Sequence, residues 1–339
     1  MKGIVCDQVG RLVFRDDLPE PERRAGEAVV RIRRVGICGT DYHAFRGRQP
    51  FFSYPRILGH ELAGVVESID DGGASGLTPG DQVGVIPYLH CGECIACRRG
   101  KTNCCTSMRV LGVHVDGGMR ERIAVPASHL IRTNGLSFDA AAMIEPLAIG
   151  AHAVRRSGLS RGETALVIGG GPIGLGVMAF AKYAGATVIA MDVNEERLAF
   201  GRDWAKADAT LTAGDGAAER LLALTGGDGP TVVLDATGNA ASMESAFGYV
   251  AHGGTLVFVG LVKDDLAFSD PEFHKRELTL LASRNATRDD FARVVEAVEA
   301  GDVDIERFIT HRAAFGETIE RFDEWLRPES KVVKAVLEL

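Results

Sequence analysis

An α/β protein in two parts is predicted by three features of the chain. Short β-type runs separated by glycine turns occupy the region up to about residue 146, strands alternate with helices from Glu163 onward, and a glycine-rich loop directly follows the first of those strands. The early runs, 27–35, 62–69, 82–86 and 121–125, read as an all-β region. The later runs, 164–168, 187–192, 232–235 and 255–259, are strand-like, with helix-like stretches at 173–184 and 195–205. Such alternation builds a doubly wound parallel sheet covered by helices on both faces. After an apolar run at 278–282, residues 289–300 form an amphipathic helix and 331–339 a last strand that returns to the first part. Residues 71–80, rich in glycine and serine, form a surface loop.

Of the 339 residues, 46% are hydrophobic and 25% charged, the balance of a soluble globular chain long enough for two domains. A formal charge of −8 disfavours nucleic acid, whose phosphates are neutralised by Lys and Arg. No run approaches the roughly 20 apolar residues of a membrane span, and the opening Met1-Lys2-Gly3-Ile4-Val5 lacks a signal-peptide pattern. No membrane partner is therefore expected, and a reducing cytoplasm is.

Five of the seven cysteines lie between Cys91 and Cys105. Cys91, Cys94 and Cys97 share one tight loop, and Cys105, eight positions later, closes a tetrahedron of thiolates around zinc with bonds of about 2.3 Å. Cys104 is the spare, read as a small packed side chain. Two disulfides are the competing reading, but a chain of this length buries a core without staples and carries no mark of secretion. Four thiolates leave no open position, so this zinc is structural and the chemistry lies elsewhere.

The first strand of the second part runs into Gly169-Gly170-Gly171-Pro172-Ile173-Gly174, and a helix follows. That context turns a weak G-x-G-x-x-G match into a dinucleotide signal. Gly169 allows the tight turn, Gly171 lets the backbone approach a pyrophosphate, Gly174 lets helix and strand pack closely, and the helix N-terminus faces the phosphates. Gly169, Gly171, Pro172, Ile173 and Gly174 are thus the candidate cofactor-binding residues of the loop. The second strand ends in Asp192, 18 residues after the last glycine, where a carboxylate accepts hydrogen bonds from the adenosine ribose. Facing the 2′-phosphate of NADP, it would meet like charge at a cost on the order of several kcal/mol, so NAD is expected. Arg197 is a candidate for neutralising such a phosphate, although a solvated arginine on the helix surface is the plainer reading.

In the β-rich part stands Cys38-Gly39-Thr40-Asp41-Tyr42-His43, and 22 residues after Cys38 comes His60, within Gly59-His60-Glu61. One thiolate, one imidazole and one carboxylate form an N/S/O set suited to zinc, with room for water or substrate. Each alone is as readily a buried cysteine, a satisfied core histidine or a surface glutamate.

Cys38-Gly39-Thr40-Asp41, Gly59-His60-Glu61, the four-cysteine lobe, Glu145-Pro146-Leu147-Ala148 and the glycine loop stand in the order and approximate spacing of the zinc-dependent medium-chain alcohol dehydrogenases. The chain resembles that superfamily over essentially its whole length, and within it the polyol and sugar-acid branch. The stretch 46–60, with Phe51-Phe52-Ser53-Tyr54-Pro55-Arg56, and the run Ser283-Arg284-Asn285-Ala286 resemble the L-galactonate and L-gulonate dehydrogenase group. The resemblance implies a GroES-like catalytic domain at 1–147 with a structural zinc lobe at about 88–106. It also implies a Rossmann NAD-binding domain at 148–284, a C-terminal segment at 285–339 returning to the catalytic domain, and an active site in the cleft between the domains.

The same resemblance implies two zinc ions per subunit, one structural in the lobe and one catalytic, held by Cys38 and His60 and joined by Glu61 and Glu145. Glu145 stands where some alcohol dehydrogenases carry a second cysteine. Thr40 and His43 match the relay that carries the substrate proton by way of the cofactor ribose. The implied reaction passes a hydride from a secondary alcohol of a sugar acid to NAD, with a sorbitol-like polyol as the alternative, in a homo-oligomer that is a tetramer or dimer. A carboxylate substrate beside Glu61 and Glu145 needs a cationic partner, and Arg48, Arg56, Arg120 and Arg284 lie in segments that the family places near the cleft. His114, His129 and His152 have no comparable spacing and are read as structural. A zinc-ribbon binding protein with a nucleotide-sensing domain is opposed by the acidic balance and by the Cys38, His60, Glu61 set. A reductase without catalytic zinc would not need Cys38, Glu61 and Glu145 together.

Overall fold

Alternation of inward and outward side chains builds the first of two units. The structure, a computed structural model, describes residues 1–49 and 52–339, so Phe51 of the aromatic run lies outside the described residues. The first unit holds Met1–Glu145, Thr287–Glu299 and Asp304–Leu339, and the second holds Pro146–Ala286 and Ala300–Val303.

The first unit opens with strands β1 (Gly3–Gln8), β2 (Arg11–Arg15) and β3 (Glu27–Ile37) and helix α1 (Gly39–Phe45). Strands β4 (Arg56–Ile57), β5 (Glu61–Ile69), β6 (Gln82–Val85) and β7 (Tyr88–Leu89) follow, then the short α2 (Ile95–Arg98) and strands β8 (Arg109–Val110), β9 (Arg122–Pro126) and β10 (Leu130–Arg132). Helix α3 (Phe138–Ser157) leads into the second unit, which contains β11 (Thr164–Ile168), α4 (Pro172–Tyr183), β12 (Thr187–Asp192), α5 (Glu195–Trp204), β13 (Ala209–Thr212) and α6 (Ala217–Leu224). It continues through β14 (Val232–Asp235), α7 (Ala240–Ser245), β15 (Thr255–Phe258), α8 (Asp270–Lys275) and β16 (Thr279–Ala282). The chain re-enters the first unit as α9 (Arg288–Glu299), α10 (Ile305–Phe308), β17 (His311–Ala314), α11 (Thr318–Trp325) and β18 (Ala335–Glu338).

Along β3, Ala28, Val30 and Ile32 are buried while Arg31 is exposed, the two-residue period of a strand with one wet face. β3 is the spine of a seven-stranded sheet ordered β10-β6-β5-β3-β18-β17, with β9 also paired to β3. Its core gathers Ile32, Leu62, Val66, Leu130 and Leu337 around Phe322 of α11, which meets Tyr42 at 5.0 Å between ring centres. Each such side chain contributes about 1.5–3 kcal/mol by leaving water. β18 runs antiparallel to β3, with Ala335 opposite Ile37 and Val336 opposite Gly36. The tail becomes a strand only at Ala335, later than the expected 331, because Lys331 takes a left-handed conformation (φ 50°) after the 3₁₀ turn Pro328–Ser330.

The second unit carries six parallel strands in the order β13-β12-β11-β14-β15-β16. This is the doubly wound order, and it reverses beside β11, where such sheets bind nucleotides at the carboxyl ends of their strands. β14 is buried along its length and β11 from Ala165 onward, as expected of strands covered on both faces. The strands expected at 164–168, 187–192 and 232–235 are β11, β12 and β14. Helix α3 has no counterpart in the sequence reading. From Ala140 to Val154 it is almost entirely buried, so it lacks the polar stripe that reveals a surface helix.

Gly150 of α3 lies against the backbone of α4: a Cβ there would sit 2.5 Å from the Gly176 carbonyl carbon and 2.6 Å from Val177 N. Backbone atoms cannot yield as a flexible side-chain tip does. Gly150→Ala is expected to cost overpacking energy at the upper end of about 1–3 kcal/mol, more than the roughly 1 kcal/mol gained in helix propensity. The urea midpoint should fall with its slope unchanged, and a wild-type midpoint would show that the two helices have slack.

Candidate functional site

Cys38 ends β3 and caps α1, its extended backbone (φ −99°, ψ 158°) turning strand into helix. The Asp41 carboxylate accepts from Cys38 N at 2.9 Å and from Gly59 N at 3.2 Å, tying the start of α1 to the segment before β5. Gly59 adopts φ 91°, and a Cβ there would strike Val35 at 2.8 Å, so glycine alone suits the turn that delivers His60 and Glu61. Across the ladder, Gly36 pairs with Glu61, and a Cβ on Gly36 would lie 2.1 Å from Glu61 Oε2. The carboxylate occupies the space that a side chain would have taken.

These turns bring Cys38 Sγ, a ring nitrogen of His60 and a carboxylate oxygen of Glu61 within 4.8 Å of one another. Glu61 Oε2 and His60 Nδ1 are buried without a hydrogen-bond partner, the latter 3.9 Å from Asp41 Oδ1. A buried carboxylate oxygen with no donor is costly, and a cation would satisfy it. The N/S/O donors, their spacing and this orphaned oxygen fit zinc. Burial presses the His60 imidazole toward neutrality, but Cys38 and Asp41 outweigh it and hold its pKa well above the ordinary range. The surroundings favour positive charge here.

Two residues that sequence reasoning missed complete the surroundings. Lys334, immediately before β18, donates from Nζ to Glu61 Oε1, and both side chains are buried. Desolvation pushes the Lys334 pKa down, yet Glu61 and Cys38 raise it further than burial lowers it, so the ammonium stays charged. A single lysine inside the apolar run 332–337 was the available signal. The second is Tyr88, whose hydroxyl donates to Glu145 Oε1. Nothing in the spacing of Tyr88 marks it. Glu145 is buried on α3 and lies outside the Cys38, His60, Glu61 set, though His60, Glu61 and Lys334 all act on it electrostatically. Desolvation, opposed by His60 and reinforced by Glu61, pushes its carboxyl up to about 7. Thr40, half-buried, and His43, exposed, stand three residues apart on one face of α1.

The cysteine lobe hangs between β7 and β8, which pair antiparallel. Cys91, Cys94, Cys97 and Cys105 present their sulfurs within 4.8 Å of one another, with Cys94 to Cys97 and Cys105 to Cys91 at 3.5 Å and Cys91 to Cys97 at 4.0 Å. A disulfide would need about 2.05 Å, whereas thiolates on one tetrahedral zinc stand about 3.8 Å apart, so the lobe fits zinc. All seven cysteines are free. Backbone N–H groups of Cys97 and Thr106 pull Cys94 down to about 5, while desolvation and the neighbouring Cys94 push Cys97 up to about 12. Cys104 departs from expectation. It is exposed, because the 3₁₀ turn Thr102–Cys104 directs Asn103 inward and leaves the burial to Cys105.

In the second unit, Gly169 takes φ 101° at the end of β11, and a Cβ on Gly174 would meet Gly169 O at 1.7 Å. Gly171 caps α4, Pro172 and Ile173 form its first turn, and a Cβ on Gly171 would meet nothing within 4 Å. The loop is therefore tight at both ends and open in the middle. Asp192 is buried at the end of β12, its Oδ2 accepting from Gly170 N at 2.6 Å and its Oδ1 from Asn194 N at 2.8 Å. Arg197 is mostly exposed, with Nη1 4.0 Å from Asp192 Oδ2.

Of the four candidate arginines, Arg56 donates to Ser53 Oγ at 2.9 Å and Asp116 Oδ1 at 3.3 Å, and Arg120 Nε donates to Gly117 O at 3.0 Å. Arg48 and Arg284 are engaged within the protein as well. His114 Nδ1 accepts from Val110 N at 3.1 Å, His152 Nδ1 lies 3.1 Å from Arg155, and His129 Nε2 lies 3.2 Å from the Tyr88 carbonyl. Among the described residues, no helix is long and apolar enough to cross a membrane.

Comparison with known proteins agrees with this geometry. The family described as alcohol dehydrogenase GroES-like domain matches residues 24–135, and the family described as zinc-binding dehydrogenase matches residues 172–300. The chain is 44% identical to L-galactonate-5-dehydrogenase of Escherichia coli K12, over 99% of this chain and 98% of that protein. It is 34% identical to D-altritol 5-dehydrogenase of Agrobacterium fabrum, over 95% of each. Among solved structures, the RspB alcohol dehydrogenase of Escherichia coli CFT073, complexed with NADH, superposes with a TM-score of 0.92 at 30% identity, covering 100% of this chain and 99% of that one. With a β-rich GroES-like unit, a doubly wound Rossmann unit and relatives matched over nearly its whole length, this chain belongs to the zinc-dependent medium-chain alcohol dehydrogenases, in their polyol and sugar-acid branch.

Proposed function

We propose that this dehydrogenase oxidises a secondary alcohol of a sugar acid of the L-galactonate or L-gulonate kind, with NAD as hydride acceptor. The observation that carries the chemistry is the set Cys38, His60 and Glu61, within 4.8 Å and holding a buried, unpartnered Glu61 oxygen. Cys38, His60 and Glu61, with Glu145 beside them, would hold the catalytic zinc, and Cys91, Cys94, Cys97 and Cys105 the structural one. When bound, zinc lowers the pKa of an alcohol as it lowers that of water, and NAD takes up the hydride. The chain's own residues orient and shuttle. Thr40 Oγ1 accepts the proton of the substrate hydroxyl, and the imidazole of His43, exposed three residues along α1, releases it to solvent. Lys334 donates to Glu61 and holds it beside the ligand set.

For the cofactor, Gly169, Gly171, Pro172, Ile173 and Gly174 form the pyrophosphate cradle, with Asp192 at the adenosine ribose. Asp192 already accepts from Gly170 N, so one carboxylate orders the loop and presents negative charge where NADP carries its extra phosphate. Arg197 leans toward Asp192, which is the place of a surface ion pair more than of a phosphate clamp. The sugar-acid reading draws on the 44% identity to an L-galactonate-5-dehydrogenase. The 34% identity to a D-altritol dehydrogenase favours a polyol as the second reading.

Three outcomes are expected. Cys38→Ser should keep the fold and one zinc while activity drops by more than about a hundredfold, whereas Cys94→Ser should lose the other zinc and lower the melting temperature. Zinc analysis with thermal melts decides, and an active Cys38→Ser enzyme short of one zinc would refute the assignment. Asp192→Ala should lower kcat/KM for NAD by roughly 10- to 100-fold, the value of one or two charge-assisted hydrogen bonds, and so narrow the preference over NADP; equal use of both cofactors by the unaltered enzyme contradicts this. In a screen of sugar acids and polyols, the acid should be turned over better than the polyol of matching stereochemistry. Changing Arg48, Arg56, Arg120 or Arg284 in turn to methionine should, for at least one, raise KM for the acid about 10-fold or more and leave the polyol untouched. Polyols that equal every acid tested would leave the polyol reading in its place.

A further inference from the structure

Tyr88 joins two parts of the first unit that the chemistry treats separately. Its side chain is 4% exposed and Glu145 is 5% exposed, so the hydroxyl bond between them is closed to water. Its ring stands edge-on to Phe291 of α9 at 6.2 Å. Its backbone belongs to the base of the cysteine lobe. Tyr88 is paired with Val110 and Leu89 with Arg109, and Leu111 N donates to Pro87 O at 3.1 Å. Cys91 follows Leu89 by two residues and Cys105 precedes Arg109 by four. A two-residue ladder of this kind has little stability of its own. The loop that joins its strands is closed by four sulfurs converging on one point, while the Tyr88 carbonyl lies 3.2 Å from His129 Nε2 on the other side.

We propose that Tyr88 is a positioning residue that transmits the order of the cysteine lobe to Glu145 at the catalytic zinc site, an inference that rests on the ligand assignment proposed above. A lobe metal would tie β7 to β8 at the Leu89–Arg109 end of their ladder, the ladder fixes the height of the Tyr88 ring against Phe291, and the hydroxyl fixes the plane of the Glu145 carboxylate. A hydrogen bond tolerates little displacement, because it is lost once the two oxygens separate beyond about 3.5 Å. Loosening the lobe by an ångström or so therefore frees Glu145 without touching Cys38, His60 or Glu61. Partners that orient a metal-site ligand typically influence metal affinity or activity by about 10–100-fold.

The test is made on the zinc-loaded enzyme. Tyr88→Phe keeps the ring and removes only the hydroxyl. It should speed release of the catalytic zinc to a chromogenic chelator by about 10–100-fold and lower kcat comparably, with KM for NAD and release of the lobe zinc unchanged. Cys94→Ser, which empties the lobe, should speed catalytic-zinc release by a similar factor, and the double variant should be no faster than either single one, because both break the same link. Should Cys94→Ser fail to fold, Val110→Gly, which loosens β8 opposite Tyr88 without touching a ligand, takes its place in the cycle. Wild-type catalytic-zinc release in Tyr88→Phe, or losses that multiply in the double variant, would overturn the proposal. Wild-type protein that holds two zincs and reduces NAD with an alcohol secures the underlying reading, so such a result then counts against Tyr88 alone. Wild-type protein with a single zinc would remove the underlying reading and the proposal together.

Discussion

A buried ammonium paired with a buried carboxylate, Lys334 on Glu61, is the constraint around which the first unit is arranged. Either charge alone at that depth would be destabilising by several kcal/mol, and removing one partner strands the other. The pair therefore requires that β18 lie beside β3, since only the register of Ala335 with Ile37 sets Lys334 at the end of the sheet where Glu61 begins β5. It requires a glycine at position 36, because any side chain would collide with the carboxylate. It also leaves Glu61 with one oxygen satisfied and one not, which is the state of a ligand awaiting a cation. The fold thus uses a structural ion pair to hold a chemical group half-committed.

The two candidate metal sites solve opposite problems with similar means. In the lobe, four sulfurs face one another and backbone N–H groups stabilise them, so a metal held there would be saturated and its effect mechanical. At the catalytic set, sulfur, nitrogen and oxygen come from β3, the turn at Gly59 and β5, and Asp41 links these segments from below through backbone donors. Mixed donors held by separate elements would leave a bound metal a coordination position for substrate. The nucleotide loop of the second unit follows a third scheme, in which a carboxylate at the end of one strand orders the turn at the end of its neighbour.

Much of this was legible in the residues. The alternation of strands and helices identified β11, β12 and β14, because strands buried on both faces read as continuous apolar runs. Four cysteines at short spacing announced a convergent site, because two disulfides are the only competing reading and a chain of this length needs no such staples. Cys38, His60 and Glu61 were harder: their meeting depends on the left-handed turn at Gly59, and their spacing gained meaning only through resemblance to a family. Lys334 and Tyr88 were not found, because a buried polar group is identified by its partner and those partners lie 273 and 57 residues away. Helix α3 was hidden for the related reason that a helix buried on every side has no polar face to reveal its period. Cys104 faces outward rather than packing because a 3₁₀ turn of three residues decides inward from outward at single-residue resolution.

The contact between residues 334 and 61 also bears on how the molecule assembles. Closing a flexible loop of 273 residues costs entropy that grows only with the logarithm of length, about 0.6 kcal/mol for each doubling. Prior folding of the second unit, whose residues 146–286 lie within that loop, would shorten it by about one doubling, a small change in final stability. Its effect on timing is larger, since contacts of long sequence separation are slow to form and intermediates of chains this size expose unpaired strand edges while they wait. Until β18 arrives, residues 34–37 of β3 have no partner on that side and Glu61 lacks its counter-charge. On this reasoning the proposed catalytic site would be among the last parts of the first unit to gain its final electrostatic form, and early folding of the second unit would shorten the wait.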